Sequence, residues 1–113
     1  MKCVFCQIAN GEMPSKLRYE DDEVVAFDDI NPKAPFHVLV VPKKHLKNLN
    51  DAAKMDQSLL GHMLLIAQKV AKDAKVAKLG YKIVINNGKE SGQLVDHLHI
   101  HILGGKLLAR MTV

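Results

Sequence analysis

Polar and apolar residues alternate strictly along His97-Leu98-His99-Ile100-His101-Ile102 near the C-terminus. In an extended strand successive side chains point to opposite faces. Leu98, Ile100 and Ile102 are therefore predicted to face a core. His97, His99 and His101 share the other face, roughly 7 Å apart step to step on strand geometry. Phe36 to Val41 has a different pattern: F-H-V-L-V-V is almost continuously apolar, which predicts a strand buried on both faces and closed by Pro42. Lys16 to Tyr19, Glu23 to Phe27 and Tyr81 to Ile85 predict three further strands, with Glu20-Asp21-Asp22 as the turn between the first two.

From about Asp56 to Ala77 the period becomes helical. Met55, Leu59, Met63, Ile66, Val70 and Ala74 recur at three- and four-residue steps, and Leu60, Leu64 and Ala67 widen the stripe. The Met-containing stripe is read as core, with His62 at its edge as a structural or exposed residue. Gly80, after Leu79, suits the residue that closes a helix. Cys3 to Ala9 predicts a short helix ended by Asn10-Gly11. The prolines of Asp28 to Pro35 and the glycines of Asn86 to Gln93 mark loops. No βαβ rhythm appears. The expected fold is α+β: a five-stranded antiparallel sheet with one long and one short helix, the long one on one face. The sheet's other face, or its edge, needs a partner, for which a second copy of the chain serves.

The 113 residues suffice for one domain, spanning 1–113, and 48% apolar content is that of a globular chain. A net charge of +4 suits an anionic ligand. The lysines are dispersed, with no arginine cluster interleaved with aromatics, which argues against nucleic acid. No apolar run approaches the length of a membrane helix. The first residues turn polar by Asn10, unlike a signal peptide, and two cysteines make no secreted disulfide framework. A cytoplasmic protein without membrane partners is expected.

Packing does not explain three titratable rings in a row. A neutral imidazole is a good nucleophile toward phosphorus when an acceptor holds its other nitrogen, and a second imidazole can bind phosphate oxygens or manage a proton. The loop before the triad supplies Gly88 and Gly92, whose backbone N–H groups can approach an anion, and Asn86, Ser91 and Gln93 as neutral polar groups. Metal binding is the rival reading. The C-x-x-C of Cys3 and Cys6 is half a zinc site that His45 or His97 can complete; a redox pair and two unligated thiols are its alternatives. Asp29, before Asn31-Pro32, reads from pattern alone as a turn former, and otherwise as a carboxylate for the two hydroxyls of a ribose.

H-L-H-I-H-I-L resembles the His-φ-His-φ-His-φ-φ motif of the histidine triad family, where φ is apolar. F-D-D-I-N-P-K-A-P-F-H-V-L-V-V-P-K-K-H resembles its central block, and N-N-G-K-E-S-G-Q followed by the triad and Gly104-Gly105 resembles its C-terminal block, looking most like the Hint branch of nucleoside phosphoramidases. The resemblance implies a homodimer whose two five-stranded sheets join, binding purine nucleotides and hydrolysing bonds at the α-phosphorus. It implies that His99 becomes nucleotidylated, that His101 contacts the phosphate and that His37 supports them. Asp29 would hold the ribose; Phe5, Ile8, Phe27, Ile30 and Leu39 would line the base pocket; Asn86 and the backbone at Gly92 would lie near the phosphate. Cys3, Cys6, His45 and His97 match the ligands of structural zinc in zinc-containing relatives; no catalytic metal or organic cofactor is implied. Leu94 departs from the polar residue of many Hint members, which bears on the leaving group. A dinucleoside polyphosphate hydrolase, a nucleotide-binding protein with little activity, and a metal-dependent enzyme ligating its ion through all three histidines are the alternatives.

Overall fold

A computed structural model describes residues 3–108. Helix α1 (Val4–Ala9) is followed by strands β1 (Leu17–Glu20), β2 (Val24–Asp28) and β3 (Phe36–Pro42), the long helix α2 (Gln57–Asp73), β4 (Tyr81–Val84) and β5 (Ile100–Gly104). The five strands form one antiparallel sheet in the order β1-β2-β3-β5-β4. The expected α+β fold is the one found.

Residue parity divides the sheet into two faces. Val24 and Ala26 of β2, Phe36, Val38 and Val40 of β3, and Leu98, Ile100 and Ile102 pack on Leu59, Met63, Ile66, Ala67, Val70 and Ala71 of α2. The odd-numbered Val25, Phe27, Leu39 and Val41 pack instead on Phe5 and Ala9 of α1. This explains the unbroken apolar run of β3, in which every residue is buried. It also corrects one expectation: the face away from α2 is partly covered within the chain, by α1.

Three boundaries differ from the pattern. Only His101 of the triad lies inside the β5 ladder; His97, in a bend, and His99 precede it, yet Leu98 between them still enters the core. Helix α2 stops at Asp73, not Ala77. Lys75 takes the left-handed conformation (φ 65°), and the bonds Val76 N–H to Ala71 O and Lys75 N–H to Lys72 O close the helix. The expected stop at Gly80 comes too late, because a lysine occupies the position that glycine usually marks. Met55 lies in a 3-10 turn ahead of α2 and is 82% exposed, and Leu64 is exposed as well, so neither belongs to the buried stripe.

His62 bridges α2 to the β1–β2 turn. Its Nε2 lies 2.6 Å from Asp21 Oδ2, and Asp21 Oδ1 accepts the backbone N–H groups of Glu23 and Val24. No helix among the described residues is long and apolar enough to cross a membrane.

Candidate functional site: a histidine relay beside a Cys–His cluster

The register of β3 and β5 sets Leu39 opposite His101 and His37 opposite Leu103. His37 and His101 are therefore diagonal neighbours on the α1 face, within reach of each other. His37 Nε2 lies 2.9 Å from His101 Nδ1 and 3.3 Å from Asp29 Oδ2. Asp29 follows β2 and is held by two bonds: its N–H donates to the His37 carbonyl, and its Oδ1 accepts the Asn31 N–H.

The backbone assigns the protons. Lys33 N–H donates to His37 Nδ1 at 2.9 Å, so that nitrogen carries a lone pair and the proton of the neutral ring sits on Nε2. His37 Nε2–H then donates to His101 Nδ1, the nearer acceptor, which places the His101 proton on its own Nε2. His99 is oriented separately: its Nδ1 lies 2.7 Å from the backbone oxygen of His97. A carbonyl only accepts, so Nδ1 carries the proton and Nε2 keeps a free lone pair. The edge of Phe5 closes on the His99 ring at 5.1 Å, and the rings of His99 and His101 lie 4.8 Å apart.

Burial keeps these rings neutral. It lowers His99, against a smaller opposing effect of the His97 carbonyl. It lowers His101 to about 4, with His99 and His37 adding to the shift. His37 is lowered by burial despite the Asp29 carboxylate. The His37–Asp29 contact at 3.3 Å is accordingly not an ion pair at neutral pH, and the Nε2–H of His37 is directed chiefly at His101.

The four residues expected to bind zinc converge nearby. His97 Nδ1 lies 3.3 Å from Cys3 Sγ, 3.5 Å from Cys6 Sγ and 3.1 Å from His45 Nδ1, which is itself 3.2 Å from Cys6 Sγ. Tetrahedral zinc, with bonds of about 2.3 Å to sulfur and 2.0–2.1 Å to nitrogen, sets ligand atoms roughly 3.3–3.8 Å apart. His97 Nε2 donates to the Pro42 carbonyl at 2.8 Å, so its Nδ1 lone pair faces the cluster. Two sulfurs and two imidazoles in this arrangement fit zinc. Cys3 also caps α1, accepting the Cys6 N–H, so the cluster ties α1 to the loop after β3 and to the triad.

Asp29, His37 and His101 also bring three potential ligand atoms together. There the protons forbid a cation: His37 could ligate through Nε2 only by moving its proton to Nδ1, against the Lys33 N–H. Nor, among the described residues, does any ligand group contain all three triad histidines, which removes the reading of a single ion held by the triad.

Of the residues expected to line a base pocket, Phe5, Ile8, Phe27 and Leu39 share one apolar cluster, which Val95 also joins. Ile30 lies apart from it, 90% exposed. The glycine loop is hydrogen-bonded within itself. Gly88 N–H donates to Gln93 Oε1 and Gly92 N–H to the Lys89 carbonyl, so both are engaged within the loop. The value of these glycines is conformational, both having φ near 90°. Asn86 donates to the Ser91 carbonyl, and Leu94 stands 93% exposed at the loop's end. The pattern could not reveal the Lys33 N–H, the Pro42 carbonyl or the His97 carbonyl as partners, since backbone groups carry no residue signal.

A profile of the HIT domain family matches residues 10–107. Protein HitA of Neisseria gonorrhoeae is 50% identical over 102 residues, covering 90% of this chain and 94% of that one. A HIT family hydrolase from Legionella pneumophila Philadelphia 1 superposes with a TM-score of 0.94 at 41% identity, covering 96% of this chain and 97% of that one. A zinc-bound histidine triad family protein from Mycobacterium smegmatis superposes with a TM-score of 0.84 at 32% identity, covering 99% of this chain and 81% of that one.

Proposed function

The chain belongs to the HIT domain family, and from that premise we propose that it is a nucleotide hydrolase whose nucleophile is His99. The observation that carries this reading is the hydrogen bond from His99 Nδ1 to the His97 carbonyl, which leaves the Nε2 lone pair available to phosphorus. The nucleotide's base lies against Phe5, Ile8, Phe27 and Leu39, and Asp29 receives the ribose hydroxyls. His99 Nε2 attacks the α-phosphorus, a P–N bond forms, and the bond to the leaving group breaks with its electron pair. The positive charge of the nucleotidylated ring is stabilised through Nδ1–H by the His97 carbonyl. His101 Nε2–H donates to a phosphoryl oxygen, and His37 holds His101 in the tautomer that can do so. Water then attacks phosphorus, and His99 is restored as the nucleoside monophosphate departs.

The substrate class that fits best is a purine nucleoside phosphoramidate. Exposed Leu94 brings no hydroxyl to an amine leaving group, so diadenosine polyphosphates are the second class. Zinc bound by Cys3, Cys6, His45 and His97 supplies a structural cross-link and no step of the reaction. β4 ends the strand order among the described residues, a position that suits pairing with a second copy to give a homodimer with a continuous sheet. The test is release of AMP from adenosine 5′-phosphoramidate and from diadenosine tetraphosphate by the parent and by His99→Ala. Hydrolysis by the parent and none by the variant is expected; equal rates would remove His99 from the reaction.

A further inference from the structure

The side chain of Gln93 makes four hydrogen bonds, the full capacity of its amide. Oε1 accepts the Gly88 N–H at 2.8 Å and Asn48 Nδ2–H at 3.2 Å. Nε2 donates to the Lys47 carbonyl at 2.7 Å and to the Val95 carbonyl at 2.9 Å. Three separate stretches meet on this one group: the segment after His45, the turn at Gly88, and the chain leading into the triad. Asn48 is buried, and Leu49 N–H adds a bond to Asn87 Oδ1 between the same two loops.

The Val95 carbonyl is the informative partner. It accepts the Gln93 amide and also the His97 N–H, at 2.9 Å. The His97 carbonyl in turn accepts His99 Nδ1–H. A short polar path therefore runs from Gln93 through Val95 and His97 to the ring that carries the free Nε2. On the other side, Leu98 N–H to the Leu46 carbonyl holds the same strand segment to the same loop. His97 and His99 lie ahead of the β5 ladder; the peptide between them is held directly by Leu98 N–H on the Leu46 carbonyl and, through Val95, by Gln93.

We propose that Gln93 is a positioning residue: it fixes the peptide that orients His99 and holds that ring in the Nδ1–H tautomer. This rests on His99 being the nucleophile. The base and ribose groups lie on α1, β2, the loop after β2 and β3, and Gln93 reaches their apolar cluster only through the backbone of Val95. Its loss should therefore act on turnover and leave nucleotide affinity nearly intact.

The test uses Gln93→Met, which keeps length and loses all four bonds, and Gln93→Glu, which keeps both acceptor contacts and turns a carboxylate oxygen toward the Lys47 and Val95 carbonyls. Displacement of a reacting group by about 1 Å can cost on the order of a hundredfold in rate. In both variants kcat for adenosine 5′-phosphoramidate should fall about tenfold to a hundredfold, with AMP affinity within about threefold of the parent. Nitrogen-15 NMR of the ligand-free variants should show His99 losing its single Nδ1–H form. If Gln93 merely fills space, the isosteric Glu variant keeps parental turnover and tautomer, and the proposal is overturned. It is overturned equally if kcat and AMP affinity fall by the same factor. Should Gln93→Met fail to fold, Gln93→Glu decides alone. If the parent turns over no nucleotide conjugate, the proposed function fails, while the NMR comparison still decides whether Gln93 orients His99.

Discussion

His37 Nε2 lies 2.9 Å from His101 Nδ1, and because Lys33 N–H occupies the other nitrogen of His37, the bond can run in only one direction. A proton added to His101 Nδ1 would face the His37 N–H and break the pair.

That relationship sets the pH behaviour. Burial, with His99 and His37 adding, holds His101 at about 4 in the folded chain, against about 6.5 for a free imidazole. The folded value is the lower one, so the unfolded chain binds the proton more tightly between the two. This stability is complete above pH 6.5 and is lost as pH falls toward 4. The thermal midpoint should drop across that window, and His101→Gln, which cannot titrate, should drop less. The acid limb of kcat/KM should lie below 6.5; a limb centred at or above 6.5 would mean that the relay is not neutral.

The Cys–His cluster makes a separate prediction. Purified protein should carry about one zinc per chain, the stoichiometry of one four-ligand site. Elemental analysis should show Cys6→Ser losing most of that metal, and calorimetry should show a lower thermal midpoint for the variant and for chelator-treated parent. Equal metal content in parent and variant would separate Cys6 from the site.

Asp29 is tested through the sugar. Asp29→Asn should raise KM for a ribonucleotide substrate about tenfold to a hundredfold, the range of a lost hydrogen bond to a charged group. A substrate lacking the 2′-hydroxyl should narrow the gap between parent and variant. A KM unchanged by the substitution would return Asp29 to the turn-forming role that its local pattern suggests.

Much of the fold was legible because parity is a strong signal. The alternation of Leu98, Ile100 and Ile102 placed them in the core correctly even though two of the histidines precede the ladder. The continuous run of β3 announced two buried faces, and α1 with α2 supplies them. The end of α2 was hidden, since Lys75 adopts a conformation that its side chain does not advertise. Cys3, Cys6, His45 and His97 stood out by resemblance to the ligands of zinc-containing relatives, and their convergence required only that α1 fold back on the sheet. The bonding of Gln93 and the glycine loop was hidden for a physical reason: a polar loop beside histidines looks like an anion cradle, and its sequence does not show that Gly88 N–H, Gly92 N–H and the Gln93 amide already have partners. Sequence records which groups are present; it does not record which are already satisfied.

The most direct measurement is intact-protein mass spectrometry of the chain quenched in acid-free denaturant within its first turnovers of adenosine 5′-phosphoramidate, followed by peptide mapping. An added adenylyl group on the peptide containing His99, absent in His99→Ala, is the expected result. An adduct on His97 or His101, or AMP release with no adduct at any quench time and undiminished turnover by His99→Ala, would contradict a nucleophilic imidazole at position 99.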